Sequence, residues 1–426
     1  MADHSTLPAS YPKLRPLDIR PHAHNGQPYL MLRDPLQLSD RLLLLPQAMG
    51  AVLAFCDGTH TPAEMAGALS HYIGLAVPGE LVTQVILALD EALLLENDRA
   101  AAALAEARAR FRQAPCRSPL LAGQSYPADP DELHRLLEEY LAQARRSRNG
   151  AGPIRLSGRV GLLSPHIDYP RGGAVYAQVW DQAAAAVQAA DLVVIFGTDH
   201  YGVAPFTLTR QHYATPYGIL PTAGEIVDRL AAVVNEIEGE DAAFAGELRH
   251  RGEHSLELVA VWLHHMRQRQ PVEVVPILVG GFHHFIHNGA SPAQDPLLRR
   301  VLAALAEATQ GRNVVVIASG DLAHVGPAFG GEPLDAAARA AVTAADQQLI
   351  RQMAAGHADG FFESIRQVRD RNNVCGVAPI YLTLQLLQRL GGAVAGEAAG
   401  YASCPADDRN TSTVTVGGML FYTPGG

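Results

Sequence analysis

Beyond residue 158, short apolar runs alternate with longer amphipathic stretches along the chain. The apolar runs have the length of buried strands and lie near residues 159–164, 192–197, 273–279 and 313–318. Helical patterns occupy residues 174–189, 222–236, 255–268, 294–309, 335–355 and 377–390. Strands that alternate with helices are typical of α/β proteins. The pattern therefore predicts an open, mostly parallel sheet with helices on both faces, closed by strands at Ser412–Val416 and Met419–Tyr422.

The first part of the chain has a different, mainly helical pattern. Residues 1–27 are rich in proline and histidine and are expected to form a flexible arm. Residues 28–98 are predicted to form a small helical domain, in which Thr61 caps the start of a helix. Residues 99–116 are rich in alanine and arginine and predict a linker helix. The α/β domain is then expected to extend over residues 117–426.

Composition and charge argue against several classes of protein. The chain has 426 residues, of which 48% are hydrophobic, enough for a large core. A formal net charge of -10 gives no electrostatic basis for binding nucleic acid. The four cysteines lack CxxC spacing, so neither a disulfide framework nor a zinc knuckle is indicated. The N-terminus does not resemble a signal peptide and the apolar runs are too short to span a bilayer, so we expect a cytoplasmic protein without membrane contact.

Metal-capable side chains lie at the ends of three predicted strands. His166 and His200 follow the first two strands, and Asp321 and His324 follow the fourth. Because ligands gather at strand ends in an open α/β sheet, these residues are expected to form one site. The spacing of Asp321 and His324 suits a general base whose tautomer is fixed by a carboxylate. The structural alternatives are a histidine satisfied by backbone hydrogen bonds and a hydrogen-bonded loop closure.

Two further candidates lie where predicted helices begin. His254 is placed at a helix N-terminus, with Glu257 in the first turn as a capping residue. Cys375 precedes the last long helix, whose dipole is expected to lower the thiol pKa and favour a soft ligand for iron, copper or zinc. The alternative for Cys375 is a buried, unreactive thiol. The remaining histidines of interest are interpreted as surface residues: His22, His24, His264, His265, His283, His284 and His287.

Six ordered motifs in the second part of the chain resemble the Memo family, the system protein B members of the AmmeMemoRadiSam group. The motifs are SPHIDYPRGG, IFGTDHYG, EHSLE, VPILVG, ASGDLAHVG and VCGVAPI, preceded by LAGQSYPADPDELHRLLEEYL at residues 121–141. The resemblance covers roughly residues 117–423. In the first part, DGTHTPAEMAGALS and VTQVILALDEALLLEN resemble the PqqD-like family of small winged-helix-type domains, which bind leader peptides.

The Memo resemblance implies a fold similar to that of class III extradiol dioxygenases, which hold a non-haem iron. It implies that His166, His200 and Cys375 are metal ligands. It also implies catalytic roles for Asp321 and His324, and for His254. Iron (Fe²⁺) is the expected metal, with copper or zinc as alternatives. The implied partners are a radical SAM protein and an AMMECR1-like protein, with a peptide at the N-terminal domain.

The chain departs from the family pattern beside two of the implied ligands. The usual Pro-His-Ala-Gly-Tyr is Pro-His-Ile-Asp-Tyr here, which introduces Asp168. The usual Gly-Pro-Ser-His-His is Gly-Thr-Asp-His-Tyr, which introduces Asp199. These two carboxylates are expected either to join the surroundings of the metal or to bind a cationic group of the substrate.

The sequence thus favours a Memo-like metal-binding protein that is a mononuclear iron oxidoreductase of dioxygenase-like type, acting with a radical SAM partner system. In this hypothesis His324, oriented by Asp321, removes a substrate proton. Two alternatives stay open. One is a non-catalytic module that binds a peptide or metabolite. The other is zinc-type hydrolysis on the same ligands, so the sequence alone leaves open whether the protein is an enzyme.

Overall fold

The structure, a computed structural model, describes residues 10–148, 152, 154, 156 and 158–424. It divides into two compact units, Met1–Gln113 and Ala114–Gly426. In the described residues no helix is both long and apolar enough to cross a membrane.

The first unit contains a three-stranded antiparallel sheet followed by helices. Its strands are β1 (Asp18–His24), β2 (Gln27–Arg33) and β3 (Leu43–Pro46), arranged in the order β1-β2-β3. Its helices are α1 (Ala51–Phe55), α2 (Pro62–Ile73), α3 (Gly79–Glu91) and α4 (Asp98–Gln113), with a 3-10 turn at Gln47–Met49. Leu32 of the sheet packs in one core with Leu69 of α2 and Ile86 of α3.

A hairpin lies where the sequence predicts an arm. β1 pairs with β2 as far as His24 opposite Gln27, so Asn25 and Gly26 alone form the turn. Their φ angles of 50° and 73° are those that an Asn-Gly turn adopts in a two-residue hairpin. The structure therefore has a strand at Asp18–His24 in place of part of the expected arm, and residues 1–9 of that arm lie outside the described residues.

The predicted start of α2 is confirmed by its hydrogen bonds. The Thr61 hydroxyl accepts from the Glu64 backbone N–H, and the Glu64 carboxylate accepts from the Thr61 backbone N–H, which forms a capping box. The predicted linker helix corresponds to α4, which ends at Gln113. The winged-helix character of this unit stays a prediction.

The second unit is a mixed α/β structure. Its strands are β4 (Val160–Ser164), β5 (Leu192–Thr198), β6 (Phe206–Leu208), β7 (Tyr213–Thr215), β8 (Gly218–Leu220), β9 (Glu273–Val279), β10 (Val314–Ser319), β11 (His324–Val325), β12 (Ala395–Pro405) and β13 (Thr413–Tyr422). Its helices are α5 (Pro130–Ser147), α6 (Tyr169–Ala189), α7 (Gly224–Glu238), α8 (Ala242–Ala245), α9 (Arg249–Gly252), α10 (His254–Met266), α11 (His283–Asn288), α12 (Pro296–Ala308), α13 (Ala336–Ala354), α14 (Ala358–Arg366) and α15 (Val377–Gly391), with 3-10 turns at Pro292–Gln294 and Pro327–Phe329.

The main sheet has the order β11-β13-β4-β10-β5-β9-β6, with β12 paired to β13. Its central strands β4, β10, β5 and β9 are parallel, while the strands at both ends are antiparallel. Alternate residues of β5 enter two different cores, Val194 and Phe196 in one and Val193 and Ile195 in the other. Helices α7, α12 and α15 cover the first face, and α5, α6 and α10 cover the second. The predicted α/β sheet with helices on both faces is therefore confirmed.

The two predicted closing strands are one continuous strand. β13 runs through Gly417 and Gly418, and its partner β12 was not predicted from the sequence. A β-carbon on Gly417 would lie 3.2 Å from Leu322, and one on Gly418 would lie 3.1 Å from Val179. The glycines therefore allow close packing on both faces of the strand instead of ending it.

Candidate metal centre

Three sequence-predicted ligands meet at the carboxyl edge of the central strands. β4, β10 and β5 are neighbours, and Ser319 at the end of β10 lies opposite both Ser164 and Gly197. This register brings together the loops that carry His166 and His200, and the loop before α15 adds Cys375. One donor atom from each of these three residues lies within 4.8 Å of the other two. His166 Nε2 is 3.2 Å from Cys375 Sγ.

His166 is held firmly in a buried position. Its backbone N–H donates to Asp321 Oδ1 at 2.9 Å, and its Nδ1 lies 3.4 Å from Ser319 Oγ. Only 1% of the residue is exposed, and this burial holds the pKa of His166 well below its usual value, with the nearby His200 and His254 acting in the same direction. The ring is therefore neutral near pH 7, and its Nε2 faces Cys375.

Glu253 orients two further imidazoles. It is the N-cap residue of α10, and its Oε1 lies 3.0 Å from His200 Nδ1 and 3.1 Å from His254 Nδ1. The rings of His200 and His254 stack with centroids 4.7 Å apart, and they lie 5.0 and 5.1 Å from the His166 ring. Because Glu253 engages Nδ1 of both rings, their Nε2 atoms are left for a ligand. A carboxylate behind a ligating histidine is a common feature of metal sites.

The contacts between Glu253 and His200 favour the charged form of each group. Burial is the largest influence on each group and opposes its charge. Their mutual attraction and hydrogen bond nevertheless hold the pKa of His200 well above, and the pKa of Glu253 well below, the ordinary values. A metal ion that binds His200 must therefore displace a proton.

Cys375 lies in a buried setting that corrects one prediction. Burial raises the pKa of its thiol, and the charge of Asp321 adds to this, although a hydrogen bond with His200 acts in the opposite direction. The expected lowering of the Cys375 pKa by the helix N-terminus is therefore wrong. The Cys375 Sγ accepts the Asp321 backbone N–H at 3.3 Å, and the Cys375 carbonyl accepts the Thr198 hydroxyl at 3.1 Å.

The roles expected for Asp321 and His324 are divided differently in the structure. Asp321 is buried, which raises its pKa to about 6, and it holds the backbone of His166. The His324 Nδ1 instead faces two main-chain carbonyls, those of Leu322 at 3.1 Å and Asn373 at 3.2 Å. Main-chain carbonyls therefore orient His324, because they accept Nδ1–H and leave Nε2 as an acceptor. Burial lowers the pKa of His324 to about 4, so the ring is neutral near pH 7.

The two additional carboxylates are both engaged by arginines of this chain. Asp168 is the N-cap residue of α6 and accepts from Arg171 Nε at 2.8 Å. Asp199 is buried and accepts from Arg249 Nε at 2.6 Å. Neither carboxylate belongs to a group of candidate ligands in the described residues. The prediction that they join the surroundings of the metal is therefore not supported by their positions.

A cavity of about 500 Å³ opens beside two of the three candidate ligands, His200 and Cys375. Thr198, His200 and Cys375 line one side of it, and Phe282 and Val377 contribute apolar surface. The sequence analysis did not predict this cavity, since residues from β5, the loop before α11 and α15 come together only in the fold. It places an apolar space for a small molecule next to the candidate ligands.

The residues present fit a bound transition metal. Two imidazoles and a thiolate are ligands that iron, copper and zinc accept, whereas magnesium and calcium prefer oxygen. The ligands come from three separate loops, but their donor atoms converge within 4.8 Å. The Glu253 carboxylate contacts Nδ1 of His200, and the Ser319 hydroxyl contacts Nδ1 of His166. The role of Glu253 was not predicted from the sequence, because an acidic residue before a helix looks the same there as an ordinary N-cap.

Comparisons with known proteins find sequence similarity to one protein family over most of the chain. The family described as Memo-like protein matches residues 117–420. A MEMO1 family protein of Aquifex aeolicus is 27% identical over 416 residues, which cover 96% of this chain and 100% of that protein. A MEMO1 family protein of Thermococcus kodakarensis is 28% identical over 305 residues, 70% of this chain and 96% of its own length. One of Ignicoccus hospitalis is 31% identical over 219 residues, 50% of this chain and 70% of its own.

Proposed function

The chain belongs to the Memo family, and on that premise we propose that it is an oxidoreductase in which His166, His200 and Cys375 hold a single iron ion. The observation that carries the proposal is the convergence of these three donors, with His166 Nε2 3.2 Å from Cys375 Sγ. A bound iron ion would supply oxidation of an electron-rich substrate by dioxygen.

The residues of this chain have separable roles in the proposed reaction. The cavity beside Thr198 and Cys375 binds the substrate, and Phe282 and Val377 give it apolar surface for contact with that substrate. Glu253 orients the imidazoles of His200 and His254. Asp321 positions His166 through its backbone.

His324 is the proposed proton acceptor. A donor atom of its ring lies within 4.8 Å of donor atoms of Asp321 and Cys375. Its Nδ1 proton is held by main-chain carbonyls, which leaves Nε2 as the acceptor that faces away from them. The proposal differs from the sequence-based hypothesis in assigning orientation of this ring to the main chain.

Metal content and oxygen uptake together test the proposal. Protein purified without oxygen is expected to contain about one iron per chain, with loss in Cys375→Ser and retention in Cys404→Ser, the same change at a second free cysteine. The iron-loaded protein is expected to consume oxygen with electron-rich aromatic substrates. Zinc in place of iron would favour the hydrolytic alternative, and absence of any transition metal would favour a non-catalytic binding module.

The partners are proposed from the family resemblance alone. They are a radical SAM protein and an AMMECR1-like protein, with a peptide bound by residues 28–98. Copurification of either protein with the full chain tests the first part, and peptide binding by the full chain tests the second.

A further inference from the structure

A second group of metal-capable side chains joins α5 to α10, apart from the centre described above. His134 and Glu138 lie one turn apart on α5 and face His265, near the end of α10. One donor atom of each residue lies within 4.8 Å of the other two. His265 Nε2 is 3.1 Å from Glu138 Oε1, and the two imidazole centroids are 5.2 Å apart.

One atom of this group has no partner among the described residues. His134 Nδ1 is buried and makes no hydrogen bond, which is unusual for a polar atom because burial removes its water. The convergence of the three side chains is the observation that points to an ion between α5 and α10. The unpartnered nitrogen is a second, independent observation, since it shows that the described residues leave the His134 ring incompletely hydrogen-bonded.

His265 has the surroundings of a ligating histidine. The sequence analysis placed it on the surface, but only 6% of the residue is exposed in the structure. The Tyr217 hydroxyl lies 3.3 Å from its Nδ1. Without an ion, Nε2–H donates to Glu138 and Nδ1 accepts from Tyr217. With an ion, Nε2 gives its lone pair and Nδ1–H donates to the tyrosine oxygen, so both nitrogens have a partner in either state.

We propose that His134, Glu138 and His265 bind a zinc-class divalent ion. Two imidazoles and one carboxylate form a ligand set that zinc accepts, with water in the remaining position. The Glu138 side chain is 44% exposed, so the solvent can reach that position. Arg145 lies 3.7 Å from Glu138 Oε2, but its guanidinium is bound more closely by Asp181, at 2.7 Å.

The proposed site is distinct from the thiolate-containing centre. His254 and His265 are eleven residues apart on α10, a separation of about 16 Å along the helix axis. The second site has no sulfur donor among its three candidate ligands. An ion there would fix α5 against the helix that carries Glu253 and His254, so we assign it a structural role.

Zinc binding to the full chain tests the proposal. Metal-free protein is titrated with Zn²⁺ and the bound equivalents are counted after dialysis. The double variant His134→Gln/Glu138→Gln is expected to bind one equivalent fewer than the parent, and zinc is expected to raise its melting temperature less. The matched control is His283→Gln/His287→Gln. These two exposed histidines lie one turn apart with ring centroids 5.3 Å apart, so the control measures adventitious metal binding by a pair of exposed histidines.

Cobalt separates the two sites spectroscopically. A thiolate-to-cobalt absorption band belongs to the Cys375 centre, so it is expected to persist in His134→Gln/Glu138→Gln and to disappear in Cys375→Ser. The proposal is overturned if the α5 double variant binds as much zinc as the parent. It is also overturned if the missing equivalent is lost in the His283/His287 control or if the thiolate band disappears with it.

Discussion

At the scale of single residues, Glu253 determines the geometry of the centre. Its carboxylate engages Nδ1 of His200 and His254 while also accepting the Ser255 backbone N–H at 3.0 Å. The same group therefore caps α10 and orients two rings. A residue with both functions links the start of the helix directly to the candidate ligands.

Replacing Glu253 by glutamine should weaken metal binding more than it weakens the fold. The amide oxygen still caps α10, but its NH2 group cannot accept a hydrogen bond from a second imidazole. We expect metal affinity to fall about 10–100-fold, measured by competition with a chelator of known affinity. The control is Glu225→Gln, an exposed glutamate in the first turn of α7. Unchanged metal affinity in Glu253→Gln would contradict the role of Glu253 in orienting the imidazoles.

Burial of His250 makes the stability of the second unit depend on pH. The ring is fully buried, its Nδ1 accepts from the Tyr213 hydroxyl at 2.7 Å, and its Nε2–H donates to the Thr207 carbonyl at 3.0 Å. Burial lowers the pKa to about 3 from 6.5; Arg249 and Arg117 add to this, while the Thr207 hydrogen bond and the charge of Glu253 oppose it. Because the unfolded chain takes up the proton first, stability is retained above pH 6.5 and lost as pH falls towards 3.

His250 alone is expected to lower the free energy of unfolding by about 1.4 kcal/mol for each pH unit of acidification. In His250→Gln the slope of unfolding free energy against pH between about 6 and 4 should decrease by that amount. Urea unfolding at a series of pH values measures it. Exposed His357→Gln should keep the slope of the parent, and an equal slope in both variants would contradict the assignment.

At the scale of secondary-structure elements, α10 connects several parts of the second unit. Glu253 caps its N-terminus, His254 is its first residue, and Glu257 in its first turn is fully buried. Glu257 pairs with the buried Arg117 and accepts the Leu121 backbone N–H at 2.7 Å. The sequence analysis treated Glu257 as a capping residue, because an acidic residue in a first turn usually has that role and its distant partner is not visible in the sequence.

Glu257→Gln should destabilise the second unit strongly. The substitution leaves the buried Arg117 guanidinium without a compensating charge, which costs about 3–5 kcal/mol in comparable buried pairs. Denaturant unfolding of the full chain measures the loss. Glu307→Gln changes an exposed glutamate on α12 and should alter stability by less than about 0.5 kcal/mol. A change of similar size in both variants would contradict the role of the pair.

The candidate ligands could be predicted from the sequence because strand ends are visible in it. Apolar runs locate β4, β5 and β10, and His166, His200 and Asp321 follow those runs directly. The supporting contacts could not be predicted in the same way. Arg249 is distant from Asp199 in the sequence and Asn373 is distant from His324, and even the contact of His324 with the nearby Leu322 carbonyl depends on loop conformation.

At the scale of the whole molecule, the strand order brings the centre together. Placing β10 between β4 and β5 puts Asp321 beside His166 and allows α15 to add Cys375. Periodicity predicts the sheet and its faces but not this order, because strands distant in sequence pair in ways that local patterns do not specify. Periodicity likewise did not predict β12 or the short strands β7 and β8.

The most direct test of the iron centre is X-ray absorption spectroscopy of protein purified without oxygen, measured at the iron edge so that zinc at the proposed second site does not contribute. The account predicts one sulfur ligand together with nitrogen ligands, with the sulfur lost in Cys375→Ser and retained in Cys404→Ser. An iron edge that shows no sulfur ligand, or an iron-edge spectrum that Cys375→Ser leaves unchanged, would contradict the assignment of His166, His200 and Cys375 as the ligands of that iron.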